Sequence, residues 1–169
     1  MDATDFWADA PDDWVGDVPP WHEYVGPELT AELVRAAEDA LGYKLPTAYL
    51  DLLRVQNGGL PRRRCFPAGG GYVEITGLYG VGGWYGIDSP DRGSQYMIRE
   101  WGYPAVGIVI AATPWGGHDA VMLDYGKCGP AGEPRVIHVE TETAEPRVRV
   151  LAPDFAAFAA GLVRCPEQG

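Results

Sequence analysis

With 169 residues, 46% of them hydrophobic and 22% charged, the chain suits one globular domain whose core needs no covalent staple. Its net charge of −11 is concentrated at the start, where nine acidic residues and no basic one precede Arg35. Such a field repels nucleic acid and anionic lipid and attracts a basic partner, so neither a nucleic-acid nor a membrane partner is expected.

The opening residues, from Met1 to about Gly26, read as an irregular acidic arm. Trp7, Trp14 and Trp21 recur at a constant spacing, but Pro11, Pro19 and Pro20 forbid one helix through them. The tryptophans either pin the arm to the body or form a partner-binding surface. Pinning is the expectation adopted, because three bare indoles invite aggregation. The start also lacks the basic-then-apolar order of a secretion signal.

A domain spanning 27–165 follows. Pro27, Glu28 and Glu32 suit the first turn of a helix reaching Leu41, with Gly42 to close it. Leu29, Leu33, Ala36, Ala37, Ala40 and Leu41 place its apolar stripe. Pro46 turns the chain into a second helix over about 47–56, with Tyr49, Leu52 and Leu53 inward and Asn57-Gly58 as its stop. Arg62-Arg63-Arg64 reads as a solvated loop. Strands are expected at 72–78, 106–113, 120–125, 136–140 and 147–151, with Gly/Pro-rich turns between them. Those connections are mostly too short for helical crossovers, so an antiparallel meander is predicted. A short helix from Ser94 to Trp101 interrupts the strands, and a last one over 153–163 turns Phe155, Phe158 and Leu162 to one side. The class is α+β: a predominantly antiparallel sheet with an N-terminal helical hairpin and a C-terminal helix.

Chemistry-bearing patterns are few. Cys65, Cys128 and Cys165 are odd in number and far apart, with no CxxC or Cys/His cluster. Free thiols, a reducing cytoplasmic setting, no metal and no cofactor are the corresponding expectations. The only serines, Ser89 and Ser94, lie in no nucleophile elbow. Gly80-Val81-Gly82-Gly83-Trp84-Tyr85 fails the dinucleotide fingerprint, because Tyr85 occupies the last glycine position. One polar constellation stands out: Trp115, His118, Asp119 and Asp124 are candidates to line a pocket. There His118 would serve as a general base oriented by Asp119 or Asp124. His118, Asp124 and His138 are alternatively three metal-ligand types, but the plainer reading, a turn whose side chains cap loose backbone groups, is the expectation adopted.

Several motifs resemble one known family in order. They are Leu41-Gly42-Tyr43-Lys44-Leu45-Pro46, Tyr49 with Leu52-Leu53, Asn57-Gly58-Gly59, Trp101-Gly102-Tyr103-Pro104, Gly117-His118-Asp119, Leu123-Asp124-Tyr125, Val136-Ile137-His138-Val139 and Phe155-x-x-Phe158-x-x-x-Leu162. This run is similar to the SUKH superfamily over about 29–163. The resemblance implies an α+β domain without catalysis. Many bacterial members of that family are immunity proteins that neutralise polymorphic toxins, often nucleases, and fungal ones are scaffold-like regulators of cell-wall synthesis. The expected function is therefore non-enzymatic binding of a protein partner, a toxin domain, by steric occlusion. Asp9, Asp12, Asp13, Trp14 and Asp17 are the candidate contacts. A scaffold with several weak partners and a hydrolase centred on His118 and Asp119 are the alternatives.

Overall fold

Thr30, not Pro27, starts the first helix, because its hydroxyl accepts the Leu33 N–H at 3.1 Å and satisfies a donor the helix leaves open. In the computed structural model, which describes residues 2–8 and 24–167, helix α1 covers Ala31–Leu41 and ends on Gly42 in the left-handed region. Helix α2 covers Thr47–Val55 and buries Tyr49, Leu52 and Leu53, the residues its spacing singled out. It packs chiefly on a 3-10 turn at Ala3–Asp5 and on the last helix, so the expected hairpin pairing of α1 with α2 is not confirmed.

Strands β1 (Cys65–Ala68) and β2 (Gly71–Glu74) form a two-stranded antiparallel ribbon. The first of these strands had no counterpart in the sequence expectation, since Pro67 and Gly69-Gly70-Gly71 obscure its alternation. Five further strands form the main sheet in sequence order: β3 (Gly77–Leu78), β4 (Gly107–Ala112), β5 (Asp119–Asp124), β6 (Arg135–Glu140) and β7 (Arg147–Ala152). Every pairing is antiparallel; the short turns among β4 to β7 require it, while β3 and β4 are joined through a longer segment that carries a helix. Residues Gly107–Ala111, Ala120–Asp124 and Val136–Val139 are buried without alternation, so the central strands are covered on both faces.

Helix α3 (Ser94–Trp101) packs on β4, and Val109 donates its N–H to Ser94 Oγ at 2.8 Å beside a β-bulge. Helix α4 (Phe155–Gly161), capped by Asp154 through the Ala157 N–H, packs against α2, β1, β6 and β7. Its Phe155 meets Tyr49 edge-on at 5.3 Å between centroids, and Phe158 stacks on Phe66 at 5.2 Å. Tyr49 is fully enclosed and donates its hydroxyl to the Tyr79 carbonyl. That bond removes the cost of burying a phenol and joins α2 to the sheet.

The described part of the N-terminal arm is pinned, as its aromatic content suggested. Phe6 and Trp7 are buried, the Trp7 indole donates to the Leu52 carbonyl at 3.3 Å, and Trp7 bridges Pro61. Arg62 and Arg63 are not merely a solvated loop. The Arg62 guanidinium donates to the Trp7 carbonyl at 3.0 Å, and Arg63 meets the Asp5 carboxylate at 3.1 Å. Trp14, Trp21 and the acidic contacts proposed at Asp9, Asp12, Asp13 and Asp17 lie outside the described residues.

The expectation of three free thiols is overturned. Cys65 and Cys165 form a disulfide across a sequence separation of 100, and only Cys128 is free and exposed. The two meet because the chain after α4 returns to β1: Cys65 and Val163 exchange backbone hydrogen bonds at 3.1 and 2.8 Å. Sequence distance concealed that return. Free cysteines therefore no longer support a reducing compartment. No helix among the described residues is long and apolar enough to cross a membrane.

Candidate functional site

The predicted pocket of Trp115, His118, Asp119 and Asp124 does not assemble. Asp119 and Asp124 occupy opposite ends of β5, about 17 Å apart at roughly 3.4 Å per residue. At the far end, Asp124 is nearly buried, takes the Arg135 Nε–H at 2.8 Å and accepts the Gly126 N–H at 2.8 Å. It closes the β5–β6 turn. For the same reason His118, Asp124 and His138 do not converge on a metal.

At the near end, Asp119 points inward. Its carboxylate binds His138 Nε2 at 2.7 Å through one oxygen and accepts the Thr113 hydroxyl through the other. His138 stands opposite Val121, so Asp119 reaches it diagonally across the strands. A hydrolytic triad needs the imidazole between hydroxyl and carboxylate. Here the carboxylate lies between the other two, an order that fastens the β4–β5 turn and activates no nucleophile. Tyr103 joins the cluster by donating its hydroxyl to the Gly117 carbonyl at 2.7 Å. Burial first, and the neighbouring Asp119 charge second, push the Tyr103 phenol well above its ordinary value.

The exposed members of the constellation belong to a different feature. Trp115 is 72% exposed, and His118, also exposed, faces Glu142 at 3.5 Å. Gly117 lies under the ring of Trp101, close enough that a Cβ there would come within 2.6 Å of the indole. Gly117 also has φ +96°, so glycine is required on both counts. Trp101, 44% exposed, ends α3 and meets Tyr96 edge-on at 5.8 Å. Arg99 extends over Tyr96 at 5.9 Å. At the other end of α3, the Arg92 guanidinium lies over Trp84 at 3.9 Å, and Trp84 is 59% exposed.

These contacts form two groups on and beside α3, which together make up an aromatic–arginine strip: Trp84 with Arg92 ahead of the helix, and Tyr96, Arg99, Trp101 and Gly117 at its end, with exposed Trp115 two residues before Gly117. The helix alone sets about 12 Å of its length. Isolated exposed apolar side chains need no explanation, but tryptophan, tyrosine and arginine grouped around one helix have the composition of an interface core. The rings are also held in place before any partner arrives: Trp84 by Arg92, Trp101 by Tyr96 and Gly117. This lowers the entropy lost on binding.

Sequence reasoning found Trp115 but missed Trp84, Trp101 and Arg92 as site residues. A signal was present. Each exposed tryptophan adjoins a glycine with positive φ (Gly83, Gly102 and Gly116), so each sits at a turn where the core cannot enclose it.

Compared with known proteins, residues 28–161 match the model of the SMI1 / KNR4 family (SUKH-1). No curated protein matches the chain.

Proposed function

The chain belongs to the SMI1 / KNR4 family (SUKH-1), and from that premise we propose that it is a non-enzymatic, immunity-type protein that neutralises a toxin domain by covering it. The observation carrying the proposal is the preorganised aromatic–arginine strip along α3 in a chain of net charge −11. Charge of this size steers a basic partner, such as a cationic nuclease, toward the surface and speeds association. The strip then supplies the desolvated anchors that hold it, because tryptophan, tyrosine and arginine dominate binding energy at interfaces. The acidic positions Asp9, Asp12, Asp13 and Asp17 would contribute to steering rather than to anchoring.

Affinity capture of the tagged chain from its host, followed by titration of the recovered partner, tests this. One dominant, basic toxin at one-to-one stoichiometry is the expected result. Trp101→Ala and Trp115→Ala should each weaken it by about 2 kcal/mol, chiefly in the dissociation rate. Reversing Asp9, Asp12, Asp13 and Asp17 together should slow association and flatten its salt dependence. Unchanged affinity in both tryptophan variants would remove the strip from the interface.

A second reading, a scaffold-type regulator with several weak partners, has one observation in its favour. Edge strand β7 offers a separate exposed apolar pair, Val148 and Val150, each about half exposed. Several substoichiometric partners in the same capture would support it.

A further inference from the structure

The region where the chain returns from α4 to β1 brings together three metal-ligating side chains. Sulfur atoms of Cys65 and Cys165 and a carboxylate oxygen of Glu74 all lie within 4.8 Å of one another. Cys65 is buried, while Glu74 and Cys165 are partly open to solvent. Among the described residues, no hydrogen bond or ion pair occupies the Glu74 carboxylate.

Their convergence does not depend on the sulfur–sulfur bond. Glu74 stands opposite Cys65 in the β1–β2 register. Val163, two residues before Cys165, is held to Cys65 by two backbone hydrogen bonds. A ribbon and a bridge thus fix the three positions, and reduction would leave two thiols and a carboxylate facing the same small volume. Two sulfurs on one tetrahedral zinc ion, at bonds of ~2.3 Å, stand about 3.7 Å apart. That separation is open to a cysteine in the irregular stretch after α4. Thiolate and carboxylate donors suit zinc, and three protein donors leave a fourth position for water from the open side.

We propose that Cys65, Cys165 and Glu74 form a redox-gated site for a divalent cation of the zinc class, closed by the disulfide and opened by its reduction. The opening step consumes a dithiol reductant: the protein disulfide takes up two electrons and two protons, and the reductant becomes a disulfide. Metal then replaces the two thiol protons, giving two metal–thiolate bonds and releasing two protons to solvent.

Cobalt(II), a spectroscopic stand-in for zinc, tests the site in the full chain. Cys128→Ser is the background, so that only the paired cysteines remain. After phosphine reduction and removal of excess reductant under inert gas, one equivalent of Co²⁺ should produce thiolate-to-metal charge-transfer absorption and tetrahedral visible bands. One equivalent of Zn²⁺ should abolish both. The oxidised chain should show neither. Cys165→Ser should lose most of the charge-transfer band, and Glu74→Gln should weaken Co²⁺ binding at least about tenfold, the scale that even outer partners of metal ligands command. Far-UV circular dichroism of each variant separates loss of the site from loss of the fold. A reduced, folded chain without thiolate–cobalt bands overturns the proposal. So do bands that survive Cys165→Ser at full intensity, and an affinity untouched by Glu74→Gln overturns the three-donor site.

Discussion

Asp119 shows how one side chain can look catalytic in sequence and prove to be a fastener in space. Its carboxylate is 12% exposed and its partner His138 9%, so removing it strands the imidazole and leaves the Thr113 hydroxyl only the longer bond to the Asp119 backbone carbonyl at 3.3 Å. Asp119→Ala should therefore cost roughly 1–3 kcal/mol, read as a fall in the urea midpoint without a change in slope. A variant as stable as the parent would show that water replaces the carboxylate at no cost. Gly117 makes a companion case. Gly117→Ala must place a methyl group against the Trp101 ring while holding φ at +96°, and should destabilise by more than about 1 kcal/mol. It should also shift tryptophan fluorescence as Trp101 is displaced, whereas a purely local turn defect would leave the emission unchanged. The sequence placed His118, Asp119 and Asp124 in one neighbourhood, but strand geometry decided otherwise. Alternation and extension sent Asp119 inward toward β6 and carried Asp124 to the far end of β5. Neither outcome can be read without the strand register.

At the level of elements, local signals were reliable and long-range closures were not. Gly42 and Gly102 ended α1 and α3 as expected, and the apolar runs in β4 to β6 marked the buried centre of the sheet. The start of α1 was misplaced because a capping hydroxyl at Thr30 competes successfully with a proline three residues earlier. Strand β1 was missed because its partner lies across a glycine turn and its far side is completed by Val163, nearly a hundred residues away. The disulfide follows from that same unseen contact. Closing so long a loop removes much freedom from the unfolded chain, so reduction in a Cys128→Ser background without metal should lower stability by about 2–5 kcal/mol. Paired urea unfolding curves of oxidised and reduced protein measure this, and coincident curves would mean that the Cys65–Val163 bridge alone secures the strand.

Across the molecule, phenols tie the layers together, and this fixes how the protein responds to alkali. Tyr49 is fully enclosed and Tyr79 is buried, and burial raises both phenols far above their ordinary value of 10.0. In the unfolded chain they ionise near pH 10, while in the fold they keep their protons. Below pH 10 both states are protonated and the stability is fully present. As pH rises from 10 toward the raised folded values, the unfolded state binds fewer protons and stability falls, by up to about 1.4 kcal/mol per pH unit for each of these two groups. Of the nine tyrosines, these two should therefore ionise only together with the loss of far-UV ellipticity. Nine phenolates formed before any unfolding would contradict their enclosure. The bridge between β1 and the stretch after α4 has a further consequence for biosynthesis. At roughly 5–20 residues per second, the ribosome adds Cys165 about 5–20 s after Cys65. Throughout that delay β1 lacks its outer neighbour, and for its later part the one other thiol already made is Cys128. An oxidant acting in that interval has only Cys128 to offer Cys65, and a bond between them would keep β1 from its place. Correct closure thus favours oxidation after Cys165 has been added.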